Sequence, residues 1–183
     1  MATQTLPCAA LGAIETDAEL AARARGDDRA FAELYARYAP YVARVAYRLL
    51  GNDSEVDDVV QDAFLDARGG IARLEEPGAV RAWLVSITVR RVNKLLARRR
   101  RRALCFWRTA EVAPRASDPR DRQPVDDLYE ALDKLPPDLR TPWVLARVED
   151  LTLPETARAC GVSLATVKRR ISEAEQRLER RLG

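Results

Sequence analysis

Residues 80–102 read VRAWLVSITVRRVNKLLARRRRR, and nowhere else in the chain do hydrophobic periodicity and charge coincide so strongly. The apolar spacing predicts a helix. Wound as one, the stretch puts Leu84, Val85, Val89, Val92, Leu95 and Leu96 on one side and Ser86, Arg90, Asn93, Lys94, Ala97 and Arg101 on the other. One face is core and the other wants an anion. Extended to Arg108, the segment holds ten basic residues and no acid, so the arginines at 98–102 have no local carboxylate to pair with. A solvated helix end is the plain reading of such a run, because cations are favoured near a helix C-terminus. The sharper reading is contact with a polyanion, most economically the phosphates of a nucleic acid.

Charge is segregated along the rest of the chain. Residues 1–80 carry a net −6, residues 81–108 a net +10 and residues 109–183 a net −1, although the whole 183-residue chain is only +3. Such a chain presents different surfaces to different partners. Hydrophobic content of 47% is enough for real cores in one medium domain or two small ones. Cys8, Cys105 and Cys160 are scattered, and there is no histidine, which argues against a disulfide framework or a zinc site and excludes histidine-based catalysis. The expected compartment is the reducing cytosol, with no cofactor, no metal, no membrane insertion and no export signal.

Working outward from the basic helix predicts an all-α protein of two small helical domains joined by a flexible linker. Residues 1–16 read as a loose tail. In 17–102, Asp17 caps a short helix to Arg25. Asp27 or Asp28 starts a second helix carrying Phe31, Leu34, Tyr35 and Tyr38, interrupted near Pro40 and resumed until Gly51. Ser54 and Asp57 resemble a capping box for a third, whose buried stripe is Val56, Val59, Val60, Ala63 and Phe64. Asp58, Asp62 and Asp66 recur every four residues on its exposed side, with Gln61 close by; on one solvated stripe they suit a basic partner protein better than a metal or acid–base pair. Gly69 and Gly70 then open a loop running to Pro77-Gly78. Trp83 projects toward the edge of the basic helix, either packing under that loop or stacking on an unpaired base.

Residues 103–125 are a proline-rich linker with alternating charge. Residues 126–183 contain four helices with short connections. Asp126 or Asp127 opens the first, Thr141 caps around Pro142 in the second, Thr152 and Glu155 form a capping box for the third, Gly161 ends it, and Ser163 caps the last. The stretch from Leu153 to Ile171 has helix-turn-helix spacing: Ala157 is small at the crossing, Gly161 suits the tight turn, and Val162, Leu164, Val167 and Ile171 supply core. Ser163, Ala165, Thr166, Lys168, Arg169 and Arg170 are small or basic and suited to a major groove.

In their order, these segments resemble a bacterial RNA polymerase sigma factor of the extracytoplasmic-function group of the sigma-70 family, which keeps regions 2 and 4. EVDDVVQDAFL is similar to that family's acidic helix, VRAWLVSITVRRVNKLLARRRRR to its A-W-L helix with a basic end, and ALDKLPPDLRTPWVL with LTLPETARACGVSLATVKRRI to its region 4. The resemblance implies that Asp57, Asp58, Gln61, Asp62 and Phe64 bind core RNA polymerase at the largest-subunit coiled-coil. It implies that Trp83, Arg90, Asn93, Lys94, Arg98 and Arg101 engage and help melt the minus-ten promoter element, and that Ser163, Thr166, Lys168, Arg169 and Arg170 read the minus-35 element. It also implies the polymerase flap region and an anti-sigma factor as partners, with catalysis left to the polymerase. The chain departs from the pattern at Arg68, where tryptophan is common, at the acidic S-E-A-E of 172–175, and at Pro142.

Two other classes fit parts of the sequence. A helix-turn-helix regulator with a dimerising or sensing first domain would bind duplex DNA independently of polymerase. A metal-dependent nuclease would use the carboxylates of the acidic helix, but no second acidic cluster converges on them.

Overall fold

The computed structural model describes residues 15–51, 54–105 and 124–182, and every regular element among them is helical. The tail and most of the linker expected at 103–125 lie outside the described residues. Helix α1 spans Asp17–Arg23, α2 Asp28–Leu50, α3 Val56–Gly70 and α4 Val80–Cys105, with two 3-10 turns between α3 and α4. A second group follows: α5 Pro124–Asp133, α6 Pro137–Arg147, α7 Leu153–Cys160 and α8 Leu164–Leu182.

Helix α4 is the spine. Leu84, Val85, Val89 and Val92 are fully buried against α2 and α3, and burial of each such side chain contributes about 1.5–3 kcal/mol. Its opposite face carries Arg90, Asn93, Lys94, Arg98 and Arg101, all exposed. Helices α5 to α8 wrap a core of Leu132, Leu135, Leu139, Val144, Leu145 and Leu178. The two groups pack on each other, α4 along α7 and α2 against α6, and most of their buried side chains form one continuous apolar cluster, with Ala157, Val167 and Ile171 of the helix-turn-helix in a second, smaller one.

Several helix limits differ from expectation. The cap of α1 is Thr16, whose hydroxyl accepts from the Glu19 N–H while Glu19 accepts from the Thr16 N–H, a full capping box one residue earlier than Asp17. Helix α2 runs unbroken through Pro40, because Leu34, Tyr38, Val42 and Val45 on either side are buried along one stripe that outweighs the lost hydrogen bond. Helix α3 starts after Glu55, without a side-chain cap there, so the expected Ser54 box does not set its start. It continues through Gly69 and Gly70. Helix α5 begins at Pro124, ahead of the expected aspartates. In α6 the proline in the first turn is Pro137, with Thr141 and Pro142 buried inside the helix. The Thr152–Glu155 box and the left-handed Gly161 (φ 66°) stand where the sequence puts them.

Candidate polymerase-docking and promoter-binding surfaces

The outward face of α3 presents Asp57, Asp58, Gln61 and Asp62, all exposed. The two first-turn aspartates suit the positive end of the helix dipole. Phe64 is not on this face. It is only 4% exposed and meets Phe31 and Tyr35 edge-on, with ring centroids 6.5 and 4.7 Å apart. Its neighbour Leu65 is 64% exposed beside the acids. The spacing places Phe64 in the buried stripe, and it is buried; only the family resemblance puts it on the docking face.

Arg91 of α4 reaches across to this helix. Its Nε donates to Asp66 Oδ2 at 2.6 Å and its Nη1 to Asp62 Oδ2 at 3.0 Å, and a further bond joins its Nη2 to Asp66. The hydrogen bond from Arg91 holds the Asp66 carboxyl below its ordinary range. A guanidinium held between two carboxylates of the acidic line is the reverse of a cation site, which removes the main support for nuclease chemistry there.

On α4 the six residues expected to meet the minus-ten element divide. Arg90, Asn93, Lys94, Arg98 and Arg101 are exposed, and Trp83 is half-buried. A Cβ on Gly70 would stand 3.2 Å from Trp83 Cζ2, so the indole lies flush on the end of α3. Of the two roles open to Trp83, this contact is the packing one. Arg68, in place of the family's aromatic residue, sits with its guanidinium 5.2 Å from the Phe31 ring centre and pairs with Asp28, so a cation–π stack fills that position. Arg99, within the arginine run, pairs with Glu55 just before α3.

In the helix-turn-helix, Ser163 caps α8: the Thr166 N–H donates to its hydroxyl at 3.2 Å, and the two hydroxyls are 2.9 Å apart. Lys168 and Arg169 are exposed. Arg170 is half-buried and 3.9 Å from Asp138, and it lines a cleft of about 420 Å³ with Asn93, Arg100, Arg101 and Cys160. Arg170 therefore leaves the exposed side that Lys168 and Arg169 share. Leu164, expected in the core, is 41% exposed, whereas Val167 and Ile171 on the next turns are buried. The acids that replace basic residues at 172–175 are engaged: Glu175 accepts from Arg147 Nη2 at 2.8 Å, and Glu173 from Arg177 at 2.6 Å. Burial pushes the Cys160 thiol up to about 11, which keeps it protonated and unreactive at neutral pH.

An acidic helix packed beside a basic one, followed by a helix-turn-helix, is the layout of a transcription initiation factor. The family description Sigma-70 region 2 matches residues 34–102, and Sigma-70, region 4 matches residues 126–178. The ECF RNA polymerase sigma factor SigM of Mycobacterium tuberculosis is 34% identical over 170 residues, which is 92% of this chain and 85% of that protein. The ECF RNA polymerase sigma factor SigE of Mycolicibacterium smegmatis is 34% identical over 153 residues, 80% of this chain; the match spans 59% of its length. The structure of CnrH in complex with the cytosolic domain of CnrY superposes with a TM-score of 0.65 at 27% identity, covering 91% of this chain and 96% of that one. The chain belongs to the extracytoplasmic-function group of the sigma-70 family. Members of this group bind core RNA polymerase and direct it to promoters.

Proposed function

We propose that α3 docks this sigma factor on the coiled-coil of the polymerase largest subunit through Asp57, Asp58, Gln61 and Asp62, with Leu65 as the apolar anchor in place of Phe64. Arg90, Asn93, Lys94, Arg98 and Arg101 of α4 hold the strand separated at the minus-ten element, while Trp83 braces that face against the end of α3. Lys168 and Arg169, with the capped turn at Ser163 and Thr166, enter the major groove of the minus-35 element, and Arg170 contributes once it leaves Asp138. The second module also docks on the polymerase flap region. The protein performs no catalysis of its own and works in the cytoplasm. An anti-sigma protein regulates it, a reading supported by CnrH having been solved with the cytosolic domain of CnrY.

The observation that carries this division of labour is the juxtaposition of an exposed acidic face on α3 with an exposed basic face on α4. The test is reconstitution with core RNA polymerase on a promoter-containing template. Promoter-specific transcripts that require the protein, and that are lost with Asp58→Arg, uphold the reading. Transcripts unaffected by substitutions on α3 would sink the docking assignment.

A further inference from the structure

Helices α4, α6, α7 and α8 meet around a cleft of about 420 Å³, within the range of small-molecule sites. Its walls are apolar: Leu96 and Ala97 of α4, Pro137 and Pro142 of α6, and Cys160 at the end of α7. Burial keeps the Cys160 thiol neutral, so it behaves as a small apolar group. Three guanidinium groups share the lining, those of Arg100 and Arg101 from α4 and of Arg170 from α8. Asp138 is the only acid among the described lining residues, and at 3.9 Å from Arg170 it is beyond hydrogen-bond reach. Neither Arg100 nor Arg101 has a carboxylate partner among the described residues. Pro137 and Asp138, in the first turn of α6, border the same space, and that helix end has no side-chain cap, so the positive end of its dipole adds to the field there.

The combination selects a ligand. Inorganic phosphate would use the cations and leave the apolar walls in water, while a neutral hydrocarbon would use only the walls. A molecule with an apolar body and one anionic end uses both. At roughly 30 Å³ each, the share of a water molecule in the liquid, the cleft holds about 14 non-hydrogen atoms, the size of a carboxylic acid of about ten carbons.

Building on the sigma-factor reading, we propose that this cleft binds a free amphipathic monoanion of the medium-chain carboxylate class, its chain against Leu96, Pro137 and Pro142 and its carboxylate on Arg100, Arg101 and Arg170. Arg101 is assigned to the minus-ten element and Arg170 to the minus-35 element. An anion held by both therefore competes with promoter DNA and lowers the promoter affinity of the free factor.

The test titrates the full chain with sodium decanoate by isothermal titration calorimetry. One equivalent should bind with a Kd on the order of 10–100 μM, as suits a ligand of about 12 non-hydrogen atoms. Inorganic phosphate and 1-octanol, each carrying half of the chemistry, should bind at least about tenfold more weakly. Ala97→Trp fills the cleft and Arg100→Glu reverses a charge in its lining. Both positions are exposed and neither is assigned to polymerase or promoter, so melting temperatures should stay within about 2 °C while decanoate affinity falls about tenfold or more. No binding by wild type at about 1 mM decanoate, equal affinity in Ala97→Trp, or equal affinity for 1-octanol overturns the site. Retention on phosphatidylglycerol vesicles without binding of the free acid overturns it as well. Saturating decanoate should weaken wild-type binding to a forked promoter probe about fivefold or more and leave Ala97→Trp unaffected; an unchanged probe affinity of the loaded wild type overturns the competition. Transcription with core polymerase is followed in parallel without decanoate. Its absence refutes the sigma reading and leaves the calorimetry, which needs neither polymerase nor DNA, to decide the site, whereas normal transcription with no decanoate binding refutes only the site.

Discussion

Replacing Phe64 by alanine should destabilise the fold, and replacing Leu65 should weaken docking. Phe64 is 4% exposed and touches two other aromatic rings. Truncating a buried phenylalanine typically costs about 3–5 kcal/mol, the lost edge-to-face contacts being part of that figure. For a chain of this size each kcal/mol moves the melting temperature by about 2–4 °C, so Phe64→Ala should melt roughly 6–20 °C lower. Leu65 is 64% exposed, and Leu65→Ala should leave the melting curve within about 2 °C. As an anchor at the centre of an interface it should nevertheless weaken core polymerase binding about tenfold. Circular dichroism melts and a titration of labelled protein with core polymerase separate the two. A Phe64→Ala protein with an unchanged melt and a large loss of affinity would refute the assignment, since it would mean that the ring is reached by the partner.

Other perturbations address the remaining surfaces. Asp58→Arg should weaken core polymerase binding by about tenfold without lowering the melting temperature, whereas Arg169→Ala should weaken binding to a minus-35 duplex and reduce its salt slope by about one unit; equal loss of both activities in either variant contradicts the division. Gly51→Ala should cost at least about 1–2 kcal/mol in a denaturant titration, from its φ of 75° alone, and more if the Asp133 carboxylate cannot move aside. Tyr38 donates to Asp17 Oδ2 at 2.6 Å, and that bond, helped by Arg37 and opposed by burial, holds the Asp17 carboxyl below its ordinary value. A depressed carboxyl pKa stabilises the fold above about pH 4 and loses that contribution as pH falls through the folded value. Tyr38→Phe should therefore be less stable than wild type at pH 7, with the gap narrowing below about pH 4; a gap that stays constant with pH would disprove the linkage.

What could be read directly from the chain was what neighbouring residues decide among themselves. The Thr152–Glu155 box, the left-handed Gly161 and the Ser163 cap depend on side chains within three positions, and each is formed. The buried side of α4 follows from its spacing, as does the exposed line of basic residues opposite. Tertiary packing decided the rest. Pro40 reads as a helix break and Pro142 as a helix start, but both lie inside helices with buried residues on either side. The spacing of α3 puts Phe64 in the buried stripe, where it lies; its expected docking role comes from the family resemblance and gives way to that burial. Nothing local marks Arg91 as the partner of Asp62 and Asp66, or Glu149 as the partner of Arg48, because those contacts join residues 25 to 101 positions apart.

The contact between Gly70 and Trp83 limits the order in which this protein can change by mutation. With the indole seated on the end of α3, an alanine at position 70 would meet it at 3.2 Å, so the ring would have to give by a few tenths of an ångström. If Trp83 is first exchanged for a smaller residue, the same alanine is harmless, and even favourable for helix α3. The two substitutions are thus coupled, the alanine being easier to accept after the tryptophan has gone than before.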